Sequence, residues 1–145
     1  MQNYKHMKST RALLIIISLF LVYSCEEDTA DVIPDEDPVE KFLGDWKCEE
    51  DSEVYGSGYV FDVRITRNPE NSSEILIANF YHQGMNEHAV ALIVGNNLII
   101  EKQTICDDTI EIEGSGRYED GEVNMEYTAH DGADLDNVVA RLFRP

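Results

Sequence analysis

Positive charge is scarce in this chain. Eleven Lys and Arg stand against 29 Asp and Glu among 145 residues, a formal net charge of −18. Nucleic-acid binding runs on Lys and Arg neutralising phosphates, so this balance excludes nucleic acid as a partner. Long apolar runs are missing as well. Residues 12–22 (Ala-Leu-Leu-Ile-Ile-Ile-Ser-Leu-Phe-Leu-Val) are apolar but for one serine. As a helix they rise only about 16 Å, roughly half the hydrocarbon thickness, too short to span a bilayer comfortably. Sustained helical periodicity is absent beyond the few residues around Lys41-Phe42-Leu43, which argues against a helical domain. No Gly-x-Ser-x-Gly elbow, phosphate loop or His-Glu-x-x-His occurs, and no motif points to an enzyme. Once a leader is removed, the chain suffices for one compact domain and is too short for two.

What is present begins with a leader. Lys5, Lys8 and Arg11 precede the apolar run and no acid accompanies them, the charged and hydrophobic pair of a secretory signal over residues 1–24. The run ends in Val22-Tyr23-Ser24-Cys25. Ser24 supplies the small side chain that signal peptidases need before the cut. This stretch resembles the lipobox of bacterial lipoproteins. The resemblance implies that Cys25 is lipidated on sulfur, that its freed amine takes a further acyl chain, and that the chains anchor the protein stably to a membrane. Glu26-Glu27-Asp28 is similar to the export tag that takes some Gram-negative lipoproteins to the outer face of the outer membrane. The alternative is an ordinary signal peptide or membrane anchor with Cys25 incidental.

Residues 26–39 hold seven acids and two prolines. Such a segment repels itself and cannot bury a core, so residues 25–39 are expected to be an extended acidic linker rather than a calcium site. Asp28-Thr29-Ala30 and Asp108-Thr109-Ile110 resemble a short bacterial O-glycosylation motif.

From residue 44 onward the chain reads as short strands punctuated by turns. The expected strands are about 44–50, 57–66, 74–80, 87–94, 98–105, 109–118, 122–129 and 137–143. The second alternates with Tyr59, Phe61, Val63 and Ile65 on one face, the seventh with Val123, Met125, Tyr127 and Ala129. Gly95-Asn96-Asn97 and Asp120-Gly121 are hairpin signals, because Gly, Asn and Asp tolerate positive φ. About eight antiparallel strands in hairpin order predict an all-β fold, a small up-and-down barrel over residues 40–145 that removes its edges by closing.

Gly44-Asp45-Trp46, after a short helical turn, resembles the Gly-x-Trp signature that opens the first strand of lipocalins. The whole of 42–145 is similar to the short lipocalin-like domain of many bacterial lipoproteins. That resemblance implies a structural role for Gly44 and Trp46, with the indole closing one end and an arginine of the last strand packed over it. Arg141 is the first candidate and Arg144 the second. It implies no established activity and no cofactor.

Other residues leave alternatives open. Cys48 and Cys106 form either a disulfide across the mouth or two free thiols. His82, Glu87 and His88 flank one turn, and Asp131, Asp134 and Asp136 share a loop, but neither spacing is that of a metal site, and no metal is expected. Ile75–Ala78, Ala89–Val94 and Leu98–Ile100 are apolar on both faces. Either an apolar outer patch results, or small residues such as Ala89 and Ala91 face outward.

The resulting expectation is a non-enzymatic, lipid-anchored envelope protein. Its barrel would bind a small apolar or amphipathic ligand, with Tyr59, Phe61, Met125 and Tyr127 among the lining residues. The alternative is a filled barrel acting as an interaction module on another envelope protein. A hydrolase with a carboxylate pair comes third, and needs two acids converging in a cleft with an upward-shifted pKa.

Overall fold

A computed structural model describes residues 36–145. The leader expected over residues 1–24, the expected acylation of Cys25 and residues 25–35 of the expected linker lie outside the described residues. Eight antiparallel strands follow one another in chain order and close into a barrel: β1 (Gly44–Ser52), β2 (Gly56–Arg67), β3 (Glu74–Ala78), β4 (His88–Val94), β5 (Asn97–Ile105), β6 (Ile110–Glu119), β7 (Glu122–His130) and β8 (Leu135–Phe143). The last strand pairs with the first, Cys48 opposite Leu142 and Glu50 opposite Ala140, so no edge is left unpaired. Among the described residues no helix is long and apolar enough to cross a membrane.

Alternation places one residue in two inside. Trp46 and Cys48 of β1, Val63 and Ile65 of β2, Ile75 and Ile77 of β3, Val123 and Met125 of β7, and Val138, Ala140 and Leu142 of β8 are all buried. These chains form one buried apolar cluster inside the barrel, in keeping with the narrow interior of an eight-stranded barrel. Gly114 and Gly116 of β6 sit opposite Tyr127 and Met125. A methyl group at Gly114 would lie 2.3 Å from Tyr127 Cβ, and one at Gly116 would lie 2.5 Å from Met125 Cγ. The two large residues of β7 therefore fit only because their neighbours on β6 lack side chains.

One end is closed. The 3-10 turn Glu40–Phe42 lies across it, and the Trp46 indole N–H donates to the Phe42 carbonyl at 2.7 Å. The Phe42 ring meets Tyr118 edge-on at 5.6 Å, and Arg67 ties the turn down through Asp37 and Glu40. Packing starts earlier than residue 40. Val39 is only 1% exposed and its N–H is capped by the Asp37 side chain, so the last few residues expected in the linker belong to the barrel.

The arginine over the indole is Arg144, not Arg141. The Arg144 guanidinium carbon lies 3.7 Å from the Trp46 ring centroid, and its nitrogens donate to the carbonyls of Lys41, Leu43 and Asp45. Arg141 points outward between Glu49 and Glu122, at 2.7 and 3.0 Å. The reason is the phase of β8: 138, 140 and 142 face in, so 141 faces out and 144 continues the inward series across the closed end. Gly44 completes the arrangement, with φ +111 and a would-be Cβ 3.0 Å from an Arg144 nitrogen. An L side chain there would be strained and would collide with that nitrogen.

Three boundaries moved, the first being that β1 runs on to Ser52, two residues past its expected end. β3 stops at Ala78, because Asn79 adopts φ 63 and turns the chain into a second 3-10 turn, Phe80–His82. β8 begins at Leu135, two residues before the expected start. The acid that made this region read as a loop, Asp136, is buried and hydrogen-bonded.

Replacing Arg144 by Ala removes the ring stacking and three carbonyl contacts, and should cost about 1–2 kcal/mol in urea unfolding. Arg141→Ala, which breaks two exposed ion pairs and an exposed contact over the Phe143 ring at 4.8 Å, should cost less, under about 1 kcal/mol.

Candidate functional site

The other end of the barrel is open and polar. It is formed by the end of β1, the start of β2, the Phe80–His82 turn and the β7–β8 loop. A pocket of about 240 Å³ lies there, lined by Glu50, Ser52, Tyr55, Tyr59, Phe61, Tyr81, His82 and Gln83. That is slightly below the roughly 300–1,000 Å³ of sites for drug-sized ligands, so the pocket suits a small one.

Local backbone aims these groups. Along β1 the inward phase of Trp46 and Cys48 continues to Glu50 and Ser52, while a register shift between Glu50 and Ser52 bends the rim. Tyr81 and His82 both adopt left-handed backbone, φ 51 and 56, which costs a non-glycine residue on the order of 1 kcal/mol or more. Asn79 holds them there. Its side chain donates to the Asp62 carbonyl at 2.7 Å and accepts from the Gly84 N–H at 2.6 Å, and its own N–H donates to Glu87 O at 2.9 Å. The result sets the His82 imidazole on the Phe61 ring at 4.9 Å and packs Tyr81 between Tyr55 and Tyr127, at 6.0 and 6.1 Å.

Two carboxylates lie beneath the rim, and both are buried. Asp136 accepts hydrogen bonds from the Ser52 and Tyr81 hydroxyls at 2.6 and 2.8 Å and from the Val54 N–H at 3.1 Å. Glu50, 6% exposed, accepts from the Tyr127 hydroxyl at 2.5 Å and contacts the Cys48 thiol at 3.8 Å. Burial pushes the Glu50 carboxyl up to about 7, the two hydrogen bonds oppose the rise, and the charge of Asp136 adds to it. Burial in turn pushes the Tyr127, Tyr81 and Cys48 protons well above their ordinary pKa values, reinforced at Tyr127 and Cys48 by Glu50 and at Tyr81 by Asp136. These groups remain hydrogen-bond donors at neutral pH. Every buried side-chain polar atom among the described residues has a partner.

Of the four residues expected to line a ligand site, Tyr59 and Phe61 line the mouth pocket. Tyr59 follows the inward phase of β2 but stands at the rim, 53% exposed. Tyr127 sits behind the wall, bonded to Glu50. Met125, expected in the lining, is 3% exposed among core residues opposite Gly116, because the barrel is filled at its height. Glu50, Ser52, Tyr55, Tyr81 and Gln83 were not anticipated. Only Glu50 and Ser52 carried a signal, being polar residues in the inward phase of a strand.

The disulfide is absent. Cys48 is buried on β1 and Cys106 lies in the β5–β6 turn, and both are free. β1 neighbours only β2 and β8 in the closed sheet, so it never approaches β5. His82, Glu87 and His88 do not converge: His82 stacks on Phe61, Glu87 accepts the Cys106 N–H at 3.1 Å, and His88 pairs with Ala78. Asp131 caps its own loop at Ala133 and Asp134 while Asp136 turns inward. Among the described residues no three metal-ligating side chains come together.

No protein-family model matches the chain, and no curated protein matches it. The geometry of the mouth therefore carries the functional argument.

Glu50 gives a measurable pH dependence. Its folded pKa lies above the ordinary 4.5, so between about 4.5 and 7 the native chain holds a proton that the unfolded chain has released. This group's contribution is therefore most favourable at low pH and is lost as pH rises through 7, a penalty of about 3 kcal/mol at pH 8. Glu50→Gln should flatten that part of the stability profile, read as the difference from wild type in urea midpoints at pH 5 and pH 8. Separately, Cys48 and Cys106 should both react with a thiol reagent when the chain is unfolded without reductant.

Proposed function

We propose that this is a non-enzymatic, lipid-anchored protein of a bacterial cell envelope whose barrel holds a small amphipathic ligand in its open mouth. The observation that carries the reading is the pocket itself, where apolar ring surface and buried hydrogen-bonding groups meet in one concave space. That mixture suits a ligand with an apolar body and one polar end. The anchor rests on the lipobox-like Val22-Tyr23-Ser24-Cys25 after a charged and apolar leader. An outer-membrane destination, with exposure at the cell surface, follows from the acids after Cys25.

A hydrolytic reading gains something from the raised pKa of Glu50 beside a second carboxylate. It fails on presentation. Asp136 is consumed by three donors and does not line the pocket, so only one of the two acids faces a bound molecule.

The interaction-module reading has its own observation. Ala89 and Ala91 face in, not out, which leaves Leu76, Val90, Leu92, Val94 and Ile99 on the outer side of β3–β5. Part of that face is occupied, since the Gln103 side chain bonds both the N–H and the carbonyl of Val90 where β5 bulges. The pocket favours the small-ligand reading.

Two measurements test this. Cys25→Ser should move the protein from the membrane to the soluble fraction and block processing; unchanged sedimentation and processing would sink the anchor. Native mass spectrometry of the full chain purified from its own cells should show a co-purifying small mass that Phe61→Ala loses. A chain arriving empty would count against the ligand.

A further inference from the structure

The mouth pocket has a charge of one sign only. Glu50 is its single carboxylate, and no Lys or Arg lines it. The basic side chains of the described residues are engaged elsewhere: Lys47 with Asp62, Arg64 with Asp45, Arg67 with Asp37 and Glu40, Lys102 with Glu111, Arg117 with Glu119, Arg141 with Glu49 and Glu122. Lys41 reaches Asn96, and Arg144 lies on Trp46 at the closed end. Glu50 is thus a buried acid whose hydrogen-bond partners, a phenol and a thiol, are both neutral. It lacks the counter-charge that a buried carboxylate ordinarily has. Around it stand the rings of Tyr55, Tyr59, Phe61 and Tyr81, whose faces carry negative quadrupole charge and attract cations. The strongly negative chain draws cations toward the site from a distance.

Resting on the small-ligand reading above, we propose that the pocket recognises a small organic cation. The ligand is an ammonium or quaternary ammonium group on a short apolar body, held among the four rings with Glu50 as its counter-charge. An anionic ligand meets Glu50, and Asp136 behind it, without compensation. A neutral one brings Glu50 no counter-charge.

Binding is then linked to the proton on Glu50. The groups that face it are Cys48 on its own strand, Tyr127 on β7, Asp136 on β8, Tyr59 on β2 and the Tyr81–His82 pair of the mouth turn. A cation competes with the proton that burial favours on this carboxyl, so affinity falls as pH is lowered from 8 to 6, by about tenfold for one proton with a pKa near 7. His82 lines the same pocket. His82→Gln separates the two: the part of the pH dependence that survives belongs to Glu50.

The test is titration calorimetry of the full-length chain with three probes of similar size: benzyltrimethylammonium, neutral N-benzylacetamide and anionic 3-phenylpropanoate. The cation should bind at least about tenfold tighter than the amide, and the anion should not bind measurably. Glu50→Gln should bring the cation down to the level of the amide. Because a change at a buried position can disturb folding, Tyr55→Leu serves as a second variant. That ring is 59% exposed, and its loss should weaken the cation by about fivefold while sparing the amide. Amide and cation binding equally would overturn the cation and leave the small-ligand reading standing. Failure of all three probes together with an empty native mass spectrum would overturn both.

Discussion

Closure of the sheet between β8 and β1 is the constraint on which the rest of this molecule depends. Once Cys48 lies opposite Leu142 and Glu50 opposite Ala140, each strand has fixed neighbours on both sides and its inward phase is set. A narrow eight-stranded barrel leaves little free interior, and this one is filled by branched and aromatic chains for most of its height. Large residues on β7 are accommodated by glycines on β6 rather than by widening the barrel. The two ends then differ. At one the chain folds a 3-10 turn under the indole and lays Arg144 across it, and at the other the side chains run out.

The polar character of the open end follows from that asymmetry. Strands β1 and β8 carry their inward phase past the apolar core, so that Glu50 and Asp136 fall inside while still beneath the rim. Neither could stay there unsatisfied. Asp136 collects two hydroxyls and an amide, and Glu50 collects a phenol and a thiol. Asp136 is a structural clasp between β8, β1 and the mouth turn, whereas burial keeps a proton on Glu50 near neutrality. Strain adds a second asymmetry. Left-handed backbone at Tyr81 and His82 folds aromatic surface over the side of the pocket, held by the bonds of Asn79.

Much of this was legible along the chain. Period-two alternation, the hairpin signals at Gly95 and Asp120 and the Gly-Asp-Trp opening gave the strand number, their order and the closed end. Phase alone would have chosen Arg144 over Arg141, since 144 continues the series 138, 140, 142. The free cysteines also follow from strand order, because a meander never brings its first and fifth strands together. The outward valine and leucine of β4 were harder: strands apolar on both faces give no phase, and only pairing with β3 and β5 decided that Ala89 and Ala91 face in.

The sequence by itself determined an acidic chain and a meander of eight short strands, because those properties reside in composition and in local alternation. Only the tertiary structure decided that a pocket exists at the mouth, that Met125 lies outside it, and that Glu50 and Asp136 are buried. Burial and the distances between hydroxyl, thiol and carboxylate arise between residues tens of positions apart, Glu50 and Tyr127 among them. No periodicity along the chain encodes that separation.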